Sequence, residues 1–519
     1  MHLKTTLTLL AISVMLAGCG NNNGSSDPAS AAPGTPLSST PIRVASFTAA
    51  EFNAELQAGS GAALLAIPGN TPKCGFDIHY LQYGTVGGAG ESTTATGALL
   101  IPTGGSGCSG PRPIVLYAHG TTPSKNYNIA DITDPNNPAA GELGLIATMY
   151  AAQGYIVVAP NYAGYDKSTL SYHPYLNAKQ QSTEMINILQ AARAVLPNTP
   201  AGASTSDDGQ LFVTGYSQGG HVAMATLQAM QAANIPVTAG APMSGPYSMA
   251  LFGDAIFGGS VNVGGTEFAP LLATAYQKSY GDLYTSTSDI YNPLYATGIE
   301  SLMPGSMDFD QLVSAGKIPQ TALFQADPAA PYTSLDPISL ATSFGFDSTN
   351  YLIQTPYRAS YLADATAHPD QVTAGTGLMP AAAPANTLRI HLKQNDLRSF
   401  TNPTMPVMVC GGGDDPTVFF PPNAALMDTI FTDYSAAKFA ELDVDANSVH
   451  GPHTFTSTGL TATQQGTMAA YAAGAQQIFA AAEAGTSGGA AGIAAAYHGS
   501  LVPPACNFAA RAFFQQFQQ

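Results

Sequence analysis

The sequence of 519 residues predicts an α/β fold, in which a mostly parallel β-sheet is wrapped by helices and interrupted by a large inserted cap. Three observations predict this fold. Apolar, strand-like runs alternate with amphipathic, helix-like segments, and Gly and Pro residues separate the two. The alternation stops near residue 250 and resumes near residue 401. Hydrophobic residues make up 45% of the chain and charged residues only 9%, so a large core can be buried.

The N-terminus has the features of an export signal. "MHLKTTLTLLAISVMLAGC" has a basic residue, a short apolar stretch and then small residues before a cysteine. Leu16 to Cys19 is similar to the lipobox of bacterial lipoproteins. This resemblance implies a signal peptide over residues 1–19, lipidation of Cys19 and, because Gly20 follows, a place at the outer membrane or cell surface. An ordinary secretory signal is the alternative. The composition of residues 20–41 predicts a flexible polar tether.

The elements of the core follow in order along the chain. The first part, residues 42–249, predicts strands at 94–102, 113–120, 155–160, 210–216 and 235–246, and helices at 141–154, 177–196 and 219–234. Residues 250–400 lack clean strands. Because strand-like runs resume after them, at 405–415 and 438–444, we interpret residues 250–400 as a cap inserted into the core, and residues 401–519 as the second part of that core.

Charge and cysteine content limit the possible partners. A net charge of −17 leaves no basic stripe for phosphates, so no nucleic-acid partner is expected. Besides Cys19, four cysteines remain, an even number that predicts two disulfides in an oxidising compartment. Three pairings are possible. We favour Cys74–Cys108, which brackets one strand-like segment, and Cys410–Cys506, which joins two C-terminal loops. No metal-ligand spacing or dinucleotide fingerprint is present, so no metal and no cofactor are expected.

One short stretch carries the chemistry. "LFVTGYSQGG", residues 211–220, places Ser217 between two glycines where an apolar strand runs into an amphipathic helix. This is a G-x-S-x-G pattern in the strand, turn and helix context that exposes a nucleophilic serine. The flanking glycines let the strand and the helix approach closely enough to hold the serine in a strained turn. A serine that only caps the helix is the alternative.

Four segments together resemble the α/β-hydrolase fold, and more narrowly bacterial esterases and lipases related to the secretory lipase family. They are "YAHGTT" (117–122), "GYIVVAPNYAGY" (154–165), "GYSQGGHVA" (215–223) and "GGGDDPTV" (411–418). The segments span most of the chain outside the leader and the cap. The resemblance implies a serine nucleophile followed along the chain by an acid and then a histidine.

The sequence offers more than one candidate for the acid and for the histidine. Asp415 fits the G-x-x-D-x-x-V pattern of the fold, and Asp414 fits it one residue out of register. Three histidines compete for the role of base. His450 and His453 follow the last predicted strand at the conventional spacing, whereas His498 precedes the final amphipathic helix. We favour His498, because a disulfide between the loops would pin the acid loop against the histidine segment, and because "YHG" and "ARAFF" look like the C-terminal segment of related bacterial lipoproteins.

The same resemblance implies an oxyanion hole made of the backbone N–H groups of Gln218 and Thr121, with Thr122 as an alternative to Thr121. Tyr162 and Tyr165 could line an acyl pocket or serve packing. The expected function is hydrolysis of carboxylic esters, with lipid, aromatic or polyester-like substrates, by an enzyme that a lipid anchor attaches to a membrane. A prolyl-type peptidase, an acyltransferase and a non-catalytic surface-displayed binding protein stay open as alternatives, and so does the oligomeric state.

Overall fold

The computed structural model describes residues 31–59, 61–134, 136–326, 344–373, 377–434 and 438–519. The signal peptide predicted over residues 1–19, with its lipidated Cys19, lies outside the described residues, and so does the first half of the predicted tether.

One large sheet organises the described part of the chain. Its ten strands are, in chain order, β1 (Ile42–Phe47), β2 (Gly75–Val86), β3 (Ser92–Thr103), β4 (Gly110–Ala118), β5 (Ile156–Pro160), β6 (Thr205–Tyr216), β7 (Ala239–Met243), β12 (Val407–Gly411), β13 (Phe439–Asp443) and β14 (Phe455–Thr458). Two small sheets pair β8 (Phe324–Gln325) with β9 (Phe346–Asp347), and β10 (Gln371–Thr373) with β11 (Gly377–Met379).

The strand order across the large sheet is β1-β2-β3-β5-β4-β6-β7-β12-β13-β14. The five pairings from β5 to β13 are parallel, and the pairings at the two ends are antiparallel. All five residues of β5, β7 and β12 are buried, as expected of parallel strands covered by helices on both faces. The parallel strands share one carboxyl edge, and the loops that leave this edge carry the candidate site.

Fifteen α-helices are described. Their bounds are α1 (Ala49–Ala58), α2 (Ala62–Leu65), α3 (Ala140–Met149), α4 (Ala178–Val195), α5 (Gln218–Ala232), α6 (Met249–Gly258), α7 (Gly265–Tyr280), α8 (Pro293–Ala296), α9 (Phe309–Ser314), α10 (Thr355–Ala367), α11 (Thr387–Gln394), α12 (Leu426–Tyr434), α13 (Ala462–Ala484), α14 (Gly489–Ala496) and α15 (Val502–Gln515). None of the helices in the described ranges is long and apolar enough to cross a bilayer.

Elements α6 to α11 lie between β7 and β12, which are neighbours in the sheet, so the chain leaves the core and returns to the adjacent position. This stretch contains the region predicted as an inserted cap over residues 250–400. Its apolar side chains form a hydrophobic cluster separate from that of the sheet. The cluster of the inserted segment also includes Tyr175 and Leu176, which lie in the connection between β5 and α4. The inserted segment therefore packs against this connection.

The prediction of a flexible tether over residues 20–41 is wrong at its C-terminal end, because residues 33–37 pair with β2. Pro33 and Pro36 form bridges with Gly84 and Tyr83 of β2, and the backbone N–H of Leu37 donates to the carbonyl of Gln82 at 2.8 Å. The backbone hydrogen bonds of β2 thus give this Pro- and Ser-rich segment a partner that composition alone does not reveal.

Both disulfides have the pairing that the sequence favours. Cys74 is bonded to Cys108, which joins the start of β2 to the loop before β4. Cys410 on β12 is bonded to Cys506 on α15.

Candidate active site

Ser217 lies in the turn between β6 and α5. Its backbone has φ 60° and ψ −122°, a left-handed conformation that a side chain other than glycine rarely adopts. The N–H of Ser217 donates to the carbonyl of Met243, the last residue of β7, at 3.0 Å. The turn therefore holds the serine at the carboxyl edge of the sheet.

The glycines on both sides of Ser217 are required by close backbone approach. A Cβ atom at Gly219 would lie 1.9 Å from the carbonyl oxygen of Ala118, and a Cβ atom at Gly215 would lie 2.4 Å from the carbonyl oxygen of Gly219. Both distances are far below van der Waals contact. Any larger residue would push α5 away from β4 and β6.

Three predicted side chains meet at this turn. The Oγ of Ser217 lies 2.8 Å from Nε2 of His498, and Nδ1 of His498 lies 2.6 Å from Oδ2 of Asp415. A carboxylate can only accept, so Nδ1–H donates to Asp415 and leaves Nε2 free to accept the serine proton. The chain order is serine, acid, histidine, as the sequence predicts.

Asp415 and His498 are both held in place. Asp415 is buried, and its second oxygen accepts hydrogen bonds from the N–H groups of Thr417 at 2.9 Å and Val418 at 3.1 Å. The hydroxyl of Tyr216 donates to the backbone carbonyl of His498 at 2.6 Å. The disulfide between β12 and α15 joins the two segments, because Asp415 follows the first of these elements and His498 precedes the second.

The alternative residues make other contacts. Asp414 accepts hydrogen bonds from the N–H groups of Val449 and His450, and Nδ1 of His450 lies 3.0 Å from the same carboxylate. His453 contacts the hydroxyl of Ser448 at 3.1 Å. The structure therefore places neither of these two histidines against the hydroxyl of Ser217, and it uses Asp414 to anchor the loop after β13.

The loop after β4 faces Ser217. A Cβ atom at Gly120 would lie 3.7 Å from Cβ of Ser217, so the loop residue that follows, Thr121, begins beside Ser217. Within the described ranges, the N–H groups of Thr121 and Gln218 donate to no protein acceptor. The first N–H groups of a helix lack partners by construction, which accounts for Gln218. Both of these predicted donors therefore lie beside Ser217 without a protein acceptor among the described residues.

Four side chains hold this loop, three from the connection between β5 and α4 and one from α3. The hydroxyls of Tyr162 and Tyr165 donate to the carbonyls of His119 at 3.1 Å and Thr122 at 2.7 Å. Two further contacts hold the residues between them: the N–H of Gly120 donates to Glu142 at 3.2 Å, and Oγ1 of Thr121 lies 2.9 Å from the hydroxyl of Tyr175. Tyr162 and Tyr165 thus support the loop and do not line the apolar pocket described below.

The side chain of Gln218 is also fixed. Its Nε2 lies 2.6 Å from Nε2 of His173, whose Nδ1 lies 2.9 Å from the carbonyl of Ala163. Burial lowers the pKa of His173 to about 3, so the ring is neutral. Its Nδ1–H donates to the carbonyl and its Nε2 accepts from the amide of Gln218.

A narrow apolar pocket opens on one side of Ser217. Its volume is about 120 Å³, and its walls come mostly from the inserted segment. The residues that line it include Leu176, Met249, Phe252, Ile256, Phe268, Ala269 and Leu272. Such a pocket fits an apolar chain better than a polar group.

A wide, open cleft lies on the other side of Ser217 and has a volume of about 750 Å³. His498 and Thr121 line it together with side chains of α1, α2, α3 and α7. Three carboxyl groups line the cleft, and no Lys or Arg does so among the described residues; the carboxyl groups belong to Glu55, Glu142 and Glu267. Ser217 lines both the pocket and the cleft, so it lies where the two meet.

Glu267 has an unusual electrostatic environment. It lies in the first turn of α7, and its carboxyl forms no hydrogen bond or ion pair within the described part of the chain. Burial, together with the charge of Asp310, raises the pKa of Glu267 to about 8. The carboxyl is therefore mostly protonated at neutral pH and ionises at mildly alkaline pH.

Comparisons with known proteins establish the fold. No protein-family model matches the chain, and neither does any curated protein sequence. Solved structures do match. The ligand-bound rice cell wall degrading esterase LipA from Xanthomonas oryzae is 25% identical over 94% of this chain and 100% of that chain, with a TM-score of 0.66. Another structure of the same esterase is 27% identical over 79% of this chain and 91% of that chain, with a TM-score of 0.61. A protein of Legionella pneumophila, 20% identical over 77% of this chain and 91% of that chain with a TM-score of 0.56, shares the fold.

The chain therefore has the α/β-hydrolase fold and is similar to an esterase of that fold. The resemblance inferred from the four sequence segments is confirmed.

Proposed function

We propose that the chain is a serine carboxylic ester hydrolase of the esterase or lipase type. The observation that carries the proposal is the chain of hydrogen bonds from Ser217 through His498 to Asp415. Oγ of Ser217 lies 2.8 Å from Nε2 of His498, and Nδ1 of His498 lies 2.6 Å from Oδ2 of Asp415. A serine hydroxyl is a weak nucleophile, and an imidazole oriented by a buried carboxylate is the arrangement that activates it.

The first half of the reaction forms an acyl-enzyme. Nε2 of His498 takes the proton from Oγ of Ser217 while Oγ forms a bond to the ester carbonyl carbon. The carbonyl oxygen becomes an oxyanion, which the N–H groups of Thr121 and Gln218 stabilise. His498 then gives its proton to the alcohol oxygen as the carbon–oxygen bond of the ester breaks.

The second half repeats these steps with water. His498 takes a proton from water, the hydroxide oxygen attacks the acyl carbon, and the proton returns to Oγ of Ser217 as the acid is released. Asp415 orients the imidazole throughout and stabilises its protonated form, since Nδ1–H donates to the buried carboxylate in both halves.

The shapes beside Ser217 support a division of the substrate. The narrow apolar pocket takes the acyl chain, because its walls offer aliphatic and aromatic side chains. The alcohol then lies in the wide cleft, since His498, which must protonate the leaving oxygen, lines that cleft. An ester of an apolar acid with a large alcohol is the substrate class that fits both.

The proposed location follows from the cysteines. Two buried disulfides form and persist in an oxidising compartment outside the cytoplasm, and the esterase neighbour is described as one that degrades the rice cell wall. We propose that the protein is exported and that Cys19 carries a lipid anchor. Replacing Cys19 with Ser is expected to move the protein from the membrane fraction to the soluble fraction. A variant that still partitions with membranes would contradict the anchor.

The experiment that tests the activity is hydrolysis of p-nitrophenyl esters of increasing acyl length by the domain without its leader. The Ser217→Ala variant is assayed in parallel. Turnover that disappears in the variant supports the proposal, and the profile against chain length distinguishes an esterase from a lipase. Turnover that survives in Ser217→Ala would refute it. Absence of turnover in the parent would favour a peptidase, an acyltransferase or a non-catalytic binding protein on the same fold.

A further inference from the structure

We propose that Glu142 is a positioning residue for the reaction. In this role, which rests on the proposed function, its carboxyl group aligns the loop that supplies the Thr121 N–H to the oxyanion. Glu142 touches no reacting atom. It acts on the peptide one residue before the donor.

The geometry around the carboxyl of Glu142 is complete. Its Oε1 accepts from the hydroxyl of Tyr117 at 2.9 Å and from the N–H of Gly120 at 3.2 Å, and its Oε2 accepts from the hydroxyl of Tyr127 at 2.9 Å. The two tyrosines come from β4 and from the loop after it, so they fix the direction of the carboxyl. The hydrogen bond that this carboxyl accepts from the N–H of Gly120 then holds the loop in position.

Glu142 is the only one of the four loop supports that binds a backbone N–H of this loop within the described part of the chain. Glycine at position 120 gives the backbone more freedom than any other residue would. The hydrogen bond from Gly120 to Glu142 fixes the His119–Gly120 peptide, which lies directly before the Gly120–Thr121 peptide that carries the donor. A donor that is misaligned when the oxyanion forms contributes little to its stability.

A negative charge beside an oxyanion would itself oppose the reaction. The three donors around Glu142 compensate this charge, so the useful property of the side chain is its capacity to accept hydrogen bonds. Glutamine keeps an accepting oxygen at the Oε1 position, and its amide nitrogen can donate to the hydroxyl of Tyr127. Glutamine at position 142 should therefore preserve the position of the loop, whereas alanine should not.

Three variants test the proposal: Glu142→Ala, Glu142→Gln and the matched control Glu184→Ala. Glu184 is another buried glutamate that accepts hydrogen bonds from a tyrosine hydroxyl, that of Tyr83 at 3.2 Å, and from the side chain of Gln180 at 2.9 Å. It makes no hydrogen bond to the loop of residues 119–122 among the described residues. The measurements are Tm, kcat and KM for a p-nitrophenyl ester, and inhibition by a trifluoromethyl ketone with the same acyl group, whose serine adduct carries an oxyanion.

We expect Glu142→Ala to lower kcat on the order of 10- to 100-fold with little change in KM, since one misaligned oxyanion donor costs somewhat less than its removal. Affinity for the trifluoromethyl ketone should fall by a similar factor. Glu142→Gln should stay within about threefold of the parent. Glu184→Ala should lower Tm and leave kcat unchanged. If Glu142→Ala does not fold, Tyr127→Phe, which removes one of the hydroxyls that aim the carboxyl, should lower kcat about threefold or more.

A folded Glu142→Ala variant with the kcat of the parent would overturn the proposal. So would a loss in Glu142→Gln as large as that in Glu142→Ala, or an equal kcat loss in Glu184→Ala. Activity that survives in Ser217→Ala would overturn the proposed function instead, so the two failures are distinguishable.

Discussion

The disulfide between Cys410 and Cys506 should support both the stability and the catalytic geometry of the protein. It closes a segment of chain with a sequence separation of 96 residues, and both cysteines are buried. Replacing both with alanine removes the covalent link between β12 of the sheet and α15. Asp415 lies five residues after Cys410 and His498 eight residues before Cys506, so the same change loosens both partners of the imidazole contact.

The expected loss of stability follows from chain entropy. A disulfide that closes a loop of this length lowers the conformational entropy of the unfolded chain. This raises the free energy of unfolding by about 4.7 kcal/mol at 25 °C. The second disulfide, Cys74–Cys108, has a sequence separation of 34 and should contribute about 3.8 kcal/mol. The two double-alanine variants should therefore lose comparable stability. Only the Cys410 variant touches the candidate site, which makes the other a matched control.

The assay compares unfolding with activity. Unfolding in guanidinium is followed by far-UV circular dichroism, because the chain contains no Trp for fluorescence. The kcat for a p-nitrophenyl ester is measured at a temperature at which both variants are folded. We expect kcat of the Cys410→Ala/Cys506→Ala variant to fall about tenfold, since small displacements of catalytic groups reduce the rate steeply. The Cys74→Ala/Cys108→Ala variant should keep its kcat. Equal kcat losses in the two variants, or none in either, would refute the reasoning.

Three further predictions concern the site itself. His498→Ala should lower kcat on the order of 100- to 10,000-fold for a p-nitrophenyl ester, whereas His450→Ala and His453→Ala should keep most of the activity; a loss confined to one of the latter two would reassign the base. Glu267→Gln should change two pH profiles. In the parent, kcat/KM should fall as pH rises through about 8, because Glu267 gains a negative charge in the cleft that Ser217 also lines, and the variant should lack this fall. Because the folded pKa lies above the unfolded value of 4.5, the parent's stability relative to the variant is greatest below pH 4.5 and declines as pH rises to about 8, which denaturant unfolding at several pH values would measure. Ala269→Phe should fill the apolar pocket and shift the preference in the ester series toward shorter acyl chains; an unchanged profile would place the acyl chain elsewhere.

Local patterns in the sequence predicted the parts of the protein that depend on local structure. Ser217 could be identified because its turn needs glycines at fixed offsets, and β5 because a strand buried on both faces is a continuous apolar run. Strand β2 was missed. Its buried residues include Asp77 and His79, and these polar side chains hide the apolar pattern that marks a strand.

The supports of the oxyanion loop could not be predicted from sequence. Glu142 lies 22 residues after Gly120, and Tyr175 lies 54 residues after Thr121. Nothing in the neighbouring sequence marks either as a partner of that loop, because only the packing of α3 and of the segment before α4 brings them there. His498 was favoured through a predicted disulfide, which is a statement about distance in space, and through the likeness of its segment to the C-terminal segment of related bacterial lipoproteins.

The position of Ser217 between a small apolar pocket and a larger cleft has a kinetic consequence. In the proposed reaction the alcohol leaves first, through the cleft, while the acyl chain stays in the pocket. The cleft is then vacant, so water competes for the acyl-enzyme with any other alcohol of suitable shape. The ratio of hydrolysis to transfer should depend on the concentration of added alcohol. The acid, which leaves last, should inhibit competitively with the ester.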